Sequence, residues 1–217
     1  MDREVIGNIS VWKNFDKIEI EREKVFKAMK VFPGSPSYTE ISEDFDKVLE
    51  KLVPKMNPMA ATVIGNRVLY SKGEVSSKGN QVLYCMLTLG GLVSEESDFY
   101  FAKGEYVKGL LCDSITDCAL FEYVEILQKE ICLFLRERGY GVRGRIEPDE
   151  DTISRLNNET HEALNAWNTL GVQITRSFMY SPVKTISIIY SLSKDVNEMR
   201  LDYDCAECGS LNCSWRK

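Results

Sequence analysis

Residues 105–138 read EYVKGLLCDSITDCALFEYVEILQKEICLFLRER, and the fold turns on this stretch. Leu110, Leu111, Ile115, Leu120, Val124, Leu127, Ile131 and Leu135 recur at intervals that give a helix one broad apolar face. The run is longer than an ordinary globular helix, so it is either the spine of a domain or two helices in succession. Such a spine needs a sheet to cover, and two segments upstream have β-type composition. Residues 60–70 and 80–89 are separated by Ser71-Lys72-Gly73-Glu74 and a polar stretch ending in Gly79, which predicts neighbouring antiparallel strands. Thr88-Leu89-Gly90-Gly91 ends the second of them.

Working outward, residues 21–31 carry Val25, Phe26 and Met29 at helical spacing, and Pro33-Gly34-Ser35-Pro36 stops that helix. Ser37 and Glu40 have capping-box spacing ahead of Ile41, Phe45, Val48, Leu49 and Leu52, an amphipathic helix closed by Pro54 and Pro58. Residues 1–20 alternate loosely at Phe15, Ile18 and Ile20 and suit an edge strand or a docked arm. Downstream, Gly139, Gly141 and Gly144 read as a turn-rich segment running into Arg145. Residues 152–170 return to helix and stop at Gly171, and residues 172–178 and 185–192 read as strands joined across Ser181-Pro182, with a last strand near 198–203. The sum is a single-domain α+β fold with a twisted antiparallel sheet and a long central helix over residues 1–200, followed by a cysteine-rich tail over 201–217.

The 217 residues are 44% hydrophobic and 28% charged, enough chain and enough apolar content to stabilise a core without disulfides or metal. The net charge of −6, with the two signs interspersed, argues against nucleic acid, whose affinity comes from clustered cations. No apolar run approaches a membrane span, and Met1-Asp2-Arg3-Glu4 leads into no secretory apolar region, so a cytoplasmic location without membrane contact is expected. Cys85, Cys112, Cys118 and Cys132 lie in apolar, periodic segments and read as reduced core residues.

The other three cysteines need their own account. Cys205, Cys208 and Cys213 form C-x2-C-x4-C, in which two thiolates grip one metal from a tight turn and the third returns to the same centre. Either an iron–sulfur cluster with one non-cysteine ligand or a zinc completed by Asp202, Asp204 or a distant cysteine fits three thiolates. Solvated, metal-free thiols are the simpler alternative. His161, the only histidine, sits in a polar helical stretch with no nucleophile pointing to it, which removes most triad chemistry. Gly139-Tyr140-Gly141-Val142-Arg143-Gly144 partly matches a dinucleotide fingerprint but follows a helix instead of a strand. Asp113 and Asp117 are one helical turn apart, and like charges there cost a few tenths of a kcal/mol unless a cation or a helix N-terminus lies between them. Arg145, after the glycines, is a guanidinium able to hold a carboxylate through two parallel hydrogen bonds.

Several segments together resemble the activation (reactivation) domain of cobalamin-dependent methionine synthase and its free-standing bacterial relatives. They are Thr88-Leu89-Gly90, residues 98–106 leading to Gly109 and Asp113-Ser114-Ile115-Thr116-Asp117, then Gly171 to Thr175 with Ser177 and Met179, and Ser181-Pro182-Val183-Lys184-Thr185 with Ser187. The likeness spans roughly residues 40–195, and Cys205, Cys208, Cys213 and Arg216 resemble the short cysteine ending of the free-standing relatives. It implies a helmet-shaped α+β domain that holds S-adenosylmethionine over cobalamin carried by a partner, a corrinoid protein or cobalamin-dependent methyltransferase, so that the cobalt can be remethylated. The chemistry would be the cofactor's, with the protein supplying position and electrostatics. Arg145 and Pro148 match the arginine and proline of the family's S-adenosylmethionine loop, which makes Arg145 the cofactor-binding candidate. Asp149-Glu150 stand where that loop has Gly-Tyr, which removes a close backbone approach and adds two carboxylates, so weak or altered S-adenosylmethionine binding is expected. The alternatives are a non-catalytic module that binds a corrinoid protein and a small iron–sulfur or zinc protein without a link to cobalamin.

Overall fold

The structure is a computed structural model, and it describes residues 1–71, 74–146 and 152–202. A hairpin of β1 (Asp2–Ile6) and β2 (Ile9–Lys13) precedes α1 (Arg22–Ala28) and α2 (Tyr38–Leu52). Then come β3 (Met59–Ser71), β4 (Glu74–Thr88), α3 (Leu92–Ala102), α4 (Tyr106–Arg136) and β5 (Gly141–Ile146). The chain continues through α5 (Ile153–Ala163), α6 (Ala166–Leu170), the short pair β6 (Gln173–Ile174) and β7 (Tyr180–Ser181), and β8 (Thr185–Ser193). Six strands form one antiparallel sheet in the order β1-β2-β3-β4-β8-β5.

The long stripe of residues 105–138 makes one uninterrupted helix, α4, and this is the spine of the domain. Leu111, Ile115, Leu127, Ile131 and Leu135 are buried against Leu83, Cys85 and Leu87 of β4 and Ile188, Tyr190 and Leu192 of β8. The opposite sheet face carries Val82, Tyr84, Met86 and Ile189, covered by Leu156 of α5 with Leu164, Ala166 and Leu170. Because β4 is covered on both faces, its residues 82–87 can be apolar without interruption. Alternate side chains simply enter different cores.

Three expectations change in detail. Of the glycines at 139–144 only Gly139 lies in the turn after α4: Gly141 to Ile146 are strand β5, paired with β8 and bulged between Val142 and Gly144. Residues 172–178 form only the two-residue β6 before the chain turns, with Phe178 at φ 59°, because Thr175 closes a turn on Met179 instead of extending the ladder. Of the last expected strand, near 198–203, the described residues 198–202 form no full strand; Met199 makes a single bridge to Val142, and Arg200 donates its backbone N–H to the Val142 carbonyl. The N-terminal residues form the edge hairpin, with Trp12 donating to Thr62 Oγ1 at 3.2 Å.

Candidate functional site

One corner of the molecule gathers residues from four distant segments. Arg145 sits on β5 directly opposite Tyr190 of β8, which puts its side chain on the α4 side of the sheet. Its positive charge bears on two groups there. Burial pushes the Cys85 thiol up to about 12, and Arg145 pulls it back. Burial likewise raises the Tyr190 phenol, helped by Cys85, against the hydrogen bond from Gln128 and the Arg145 charge, with Asp202 adding to the rise. Both groups are therefore neutral near pH 7, beside the half-buried Arg145 guanidinium.

Gln128, on α4, ties the corner to the end of the described chain. Its Nε2 donates to Tyr190 Oη at 3.1 Å and to the Leu201 carbonyl at 2.9 Å. Gly141 explains why residues 195–200 can reach β5: a Cβ there would lie 1.9 Å from the Asp195 carbonyl oxygen and 2.5 Å from that of Glu198. Arg145 and the root of the cysteine tail, far apart in sequence, thus share one corner. Cys205, Cys208, Cys213, Asp204, Pro148, Asp149 and Glu150 lie outside the described residues. Among the described residues no group of three His, Cys, Asp or Glu side chains could hold a metal ion.

A second polar cluster fastens β8 to the helical layer. Lys184, with a side chain 8% exposed, reaches Asp113 Oδ1 at 2.6 Å, Asp117 Oδ1 at 2.7 Å and the Asp113 carbonyl at 3.2 Å. This is the cation that the one-turn spacing of the two aspartates demands. The spacing signals that a cation is needed but not which one, and Lys184 comes from 67 residues beyond Asp117. Burial holds the Asp117 carboxyl above its usual value, Lys184 counters this by hydrogen bond and charge, and Asp113 adds to the rise. Both aspartates and Lys184 are consumed by this contact. Gln128 and Tyr190 carry no comparable sequence signal, since each lies in an apolar run whose periodicity speaks only of packing.

His161 is a packing residue on α5: its Nε2 donates to the Val172 carbonyl at 2.9 Å. Cys85, Cys112 and Cys118 are buried in the core, as expected of reduced thiols, whereas Cys132 on α4 is half-buried. Among the described residues, no helix is long and apolar enough to cross a membrane.

With this geometry in hand, the chain can be set against known proteins. No protein-family model matches the sequence, and no curated protein matches it. Among solved structures, a MetH reactivation domain bound to AdoHcy superposes with a TM-score of 0.54 at 15% sequence identity, over 75% of this chain and 68% of that one. The chain has the fold of a MetH reactivation domain. At that identity the likeness is one of architecture: a mixed α/β domain with a six-stranded antiparallel sheet and one long helix. Of the resemblance quoted from Thr88 to Ser187, the comparison shows the fold.

Proposed function

We propose that this chain is an accessory protein, akin to a methionine synthase reactivation domain, that assists the reductive remethylation or activation of a corrinoid protein in the cytoplasm. The observation that carries the reading is the fold shared with a domain solved with AdoHcy bound. Arg145 fits such a ligand chemically, because a guanidinium can hold an amino-acid carboxylate through two parallel hydrogen bonds. A partner's corrinoid would supply the nucleophile and S-adenosylmethionine the methyl group. This chain's part is to hold the donor and exclude water around it. Cys205, Cys208 and Cys213 are assigned to a thiophilic metal, zinc or an iron–sulfur cluster, whose role in the second case is electron delivery.

Calorimetry with S-adenosylmethionine and S-adenosylhomocysteine tests the reading directly. Wild-type protein is expected to bind both, more weakly than a loop with an intact Gly-Tyr would. Arg145→Met is expected to weaken binding roughly 10- to 100-fold, the equivalent of the ~1.5–3 kcal/mol of a hydrogen bond to a charged group. No heat with either ligand, together with no methyl transfer to a cobalt(I) corrinoid protein, overturns the remethylation reading. Asp149-Glu150 in place of Gly-Tyr favours one alternative in that event, a non-catalytic module that binds the corrinoid protein through its surface. Binding of such a protein without ligand would then be the expected result.

A further inference from the structure

We infer that Tyr190 is a second ligand-binding group of the Arg145 corner, a hydroxyl donor to the carboxylate that the guanidinium holds, and that Gln128 is the positioning residue that turns it to this role. The inference rests on the proposed S-adenosylmethionine-type ligand of Arg145 and names a further group that meets its carboxylate. It follows from an accounting of donors and acceptors. The Leu201 carbonyl can only accept, so the Gln128 atom 2.9 Å from it is the amide nitrogen. That same nitrogen lies 3.1 Å from Tyr190 Oη. An amide nitrogen has two hydrogens, and these two contacts use both of them. The phenol oxygen therefore accepts from Gln128, and its own hydrogen points elsewhere.

Among the described residues that hydrogen has no acceptor. Tyr190 is fully buried, at 0% exposure, and the contact with Gln128 is the one hydrogen bond of its hydroxyl there. Cys85 and Asp202 act on the phenol by charge, yet neither takes its hydrogen. Arg145, directly across the ladder on the same face, carries donors alone. Burial keeps the phenol protonated near pH 7, so the hydrogen is present to be donated. A buried donor without a partner is costly, and the fold retains one beside a guanidinium. Two donor groups side by side, one charged and one neutral, suit a carboxylate: the fork of the guanidinium takes its two oxygens, and the phenol takes a remaining lone pair. Arg145 is half-buried and Tyr190 fully covered, so the guanidinium forms the mouth of the site and the phenol its inner end.

The test is calorimetry of the full chain with S-adenosylhomocysteine. Tyr190→Phe keeps the ring, removes the hydroxyl, and is expected to weaken binding roughly 10-fold, the loss of one hydrogen bond to a charged group. Variants of Gln128 add a readout that packing does not move. Gln128→Leu and Gln128→Glu both remove the bond to Leu201, but a glutamate places an acceptor against Tyr190 and takes its hydrogen, whereas leucine leaves that hydrogen to the ligand. Gln128→Glu is therefore expected to bind roughly 5-fold or more weakly than Gln128→Leu. The Raman difference between ligand-bound and free wild-type protein should show the tyrosine doublet moving from the intensity ratio of an accepting phenol toward that of a donating one, and the same difference in Tyr190→Phe should not. Unchanged affinity in Tyr190→Phe, with Arg145→Met weakened, overturns the role of Tyr190 and leaves the reading of Arg145 standing. Equal affinities for Gln128→Glu and Gln128→Leu overturn the role of Gln128. No binding by wild-type protein overturns the reading of Arg145 and this inference with it.

Discussion

Replacing Lys184 with methionine lowers the stability of the domain by about 2 kcal/mol at pH 7. Breaking a buried ion pair by removing one partner costs ~3–5 kcal/mol, and the expected figure is smaller because Asp113 and Asp117 are 51% and 37% exposed and partly screened by water. Methionine keeps most of the lysine stem, so the loss reports charge more than packing. The direction with pH follows from Asp117. A carboxyl whose folded pKa lies above its unfolded value contributes stability that is full below the unfolded value, near 3.9, and is lost as pH rises through the folded one. Burial already raises Asp117, and removing Lys184 takes away the main opposing influence. The deficit of Lys184→Met is therefore largest at neutral pH and shrinks on acidification toward pH 4.5. Urea unfolding at the two pH values measures it, and Lys184→Met with Asp117→Asn should recover part of the loss at pH 7. An equal deficit at both pH values would show that the lysine acts by packing alone.

That cluster marks how far the sequence is legible. The apolar stripe of residues 105–138 predicts α4 and its role as spine, because a helix buried along most of its length must repeat apolar side chains at helical spacing. The stripe cannot by itself exclude a break, and continuity follows from the sheet beneath it. Asp113 and Asp117 reveal a local conflict in the sequence, and the structure resolves it with a residue whose proximity depends on tertiary folding. Glycines are the least legible. Gly141 and Gly144 carry the composition of a turn, yet they lie in a strand, one admitting a neighbouring backbone and the other at a bulge with φ 157°. The corner around Arg145 follows the same rule: Arg145 can be singled out from sequence by its setting, whereas Tyr190 and Gln128 become its neighbours only through strand pairing and the packing of α4.

Gly141 also links the corner to residues 195–201, and Gly141→Ala is expected to disturb both. A methyl at that position would sit 1.9 Å from the Asp195 carbonyl oxygen, a separation no side chain tolerates, so residues 195–200 must lift from β5. Lifting them breaks the bonds that Val142 makes with Glu198 and Arg200 and loosens the path to Leu201 on Gln128. Overpacking of this kind costs roughly 1–3 kcal/mol, and with the lost backbone bonds the expected value is at the upper end, about 3 kcal/mol. For a domain of this size that corresponds to a fall in Tm of roughly 6–12 °C. Gly139→Ala provides the comparison: Gly139 has φ 74° with open space around it, so alanine there meets only backbone strain, costing about 1–2 kcal/mol. Hydrogen exchange at the amides of Val142 and Arg200 should accelerate in Gly141→Ala beyond what the global loss explains, and should follow global stability alone in Gly139→Ala. Matching exchange behaviour in the two variants would mean that residues 195–200 are not held by their approach to β5.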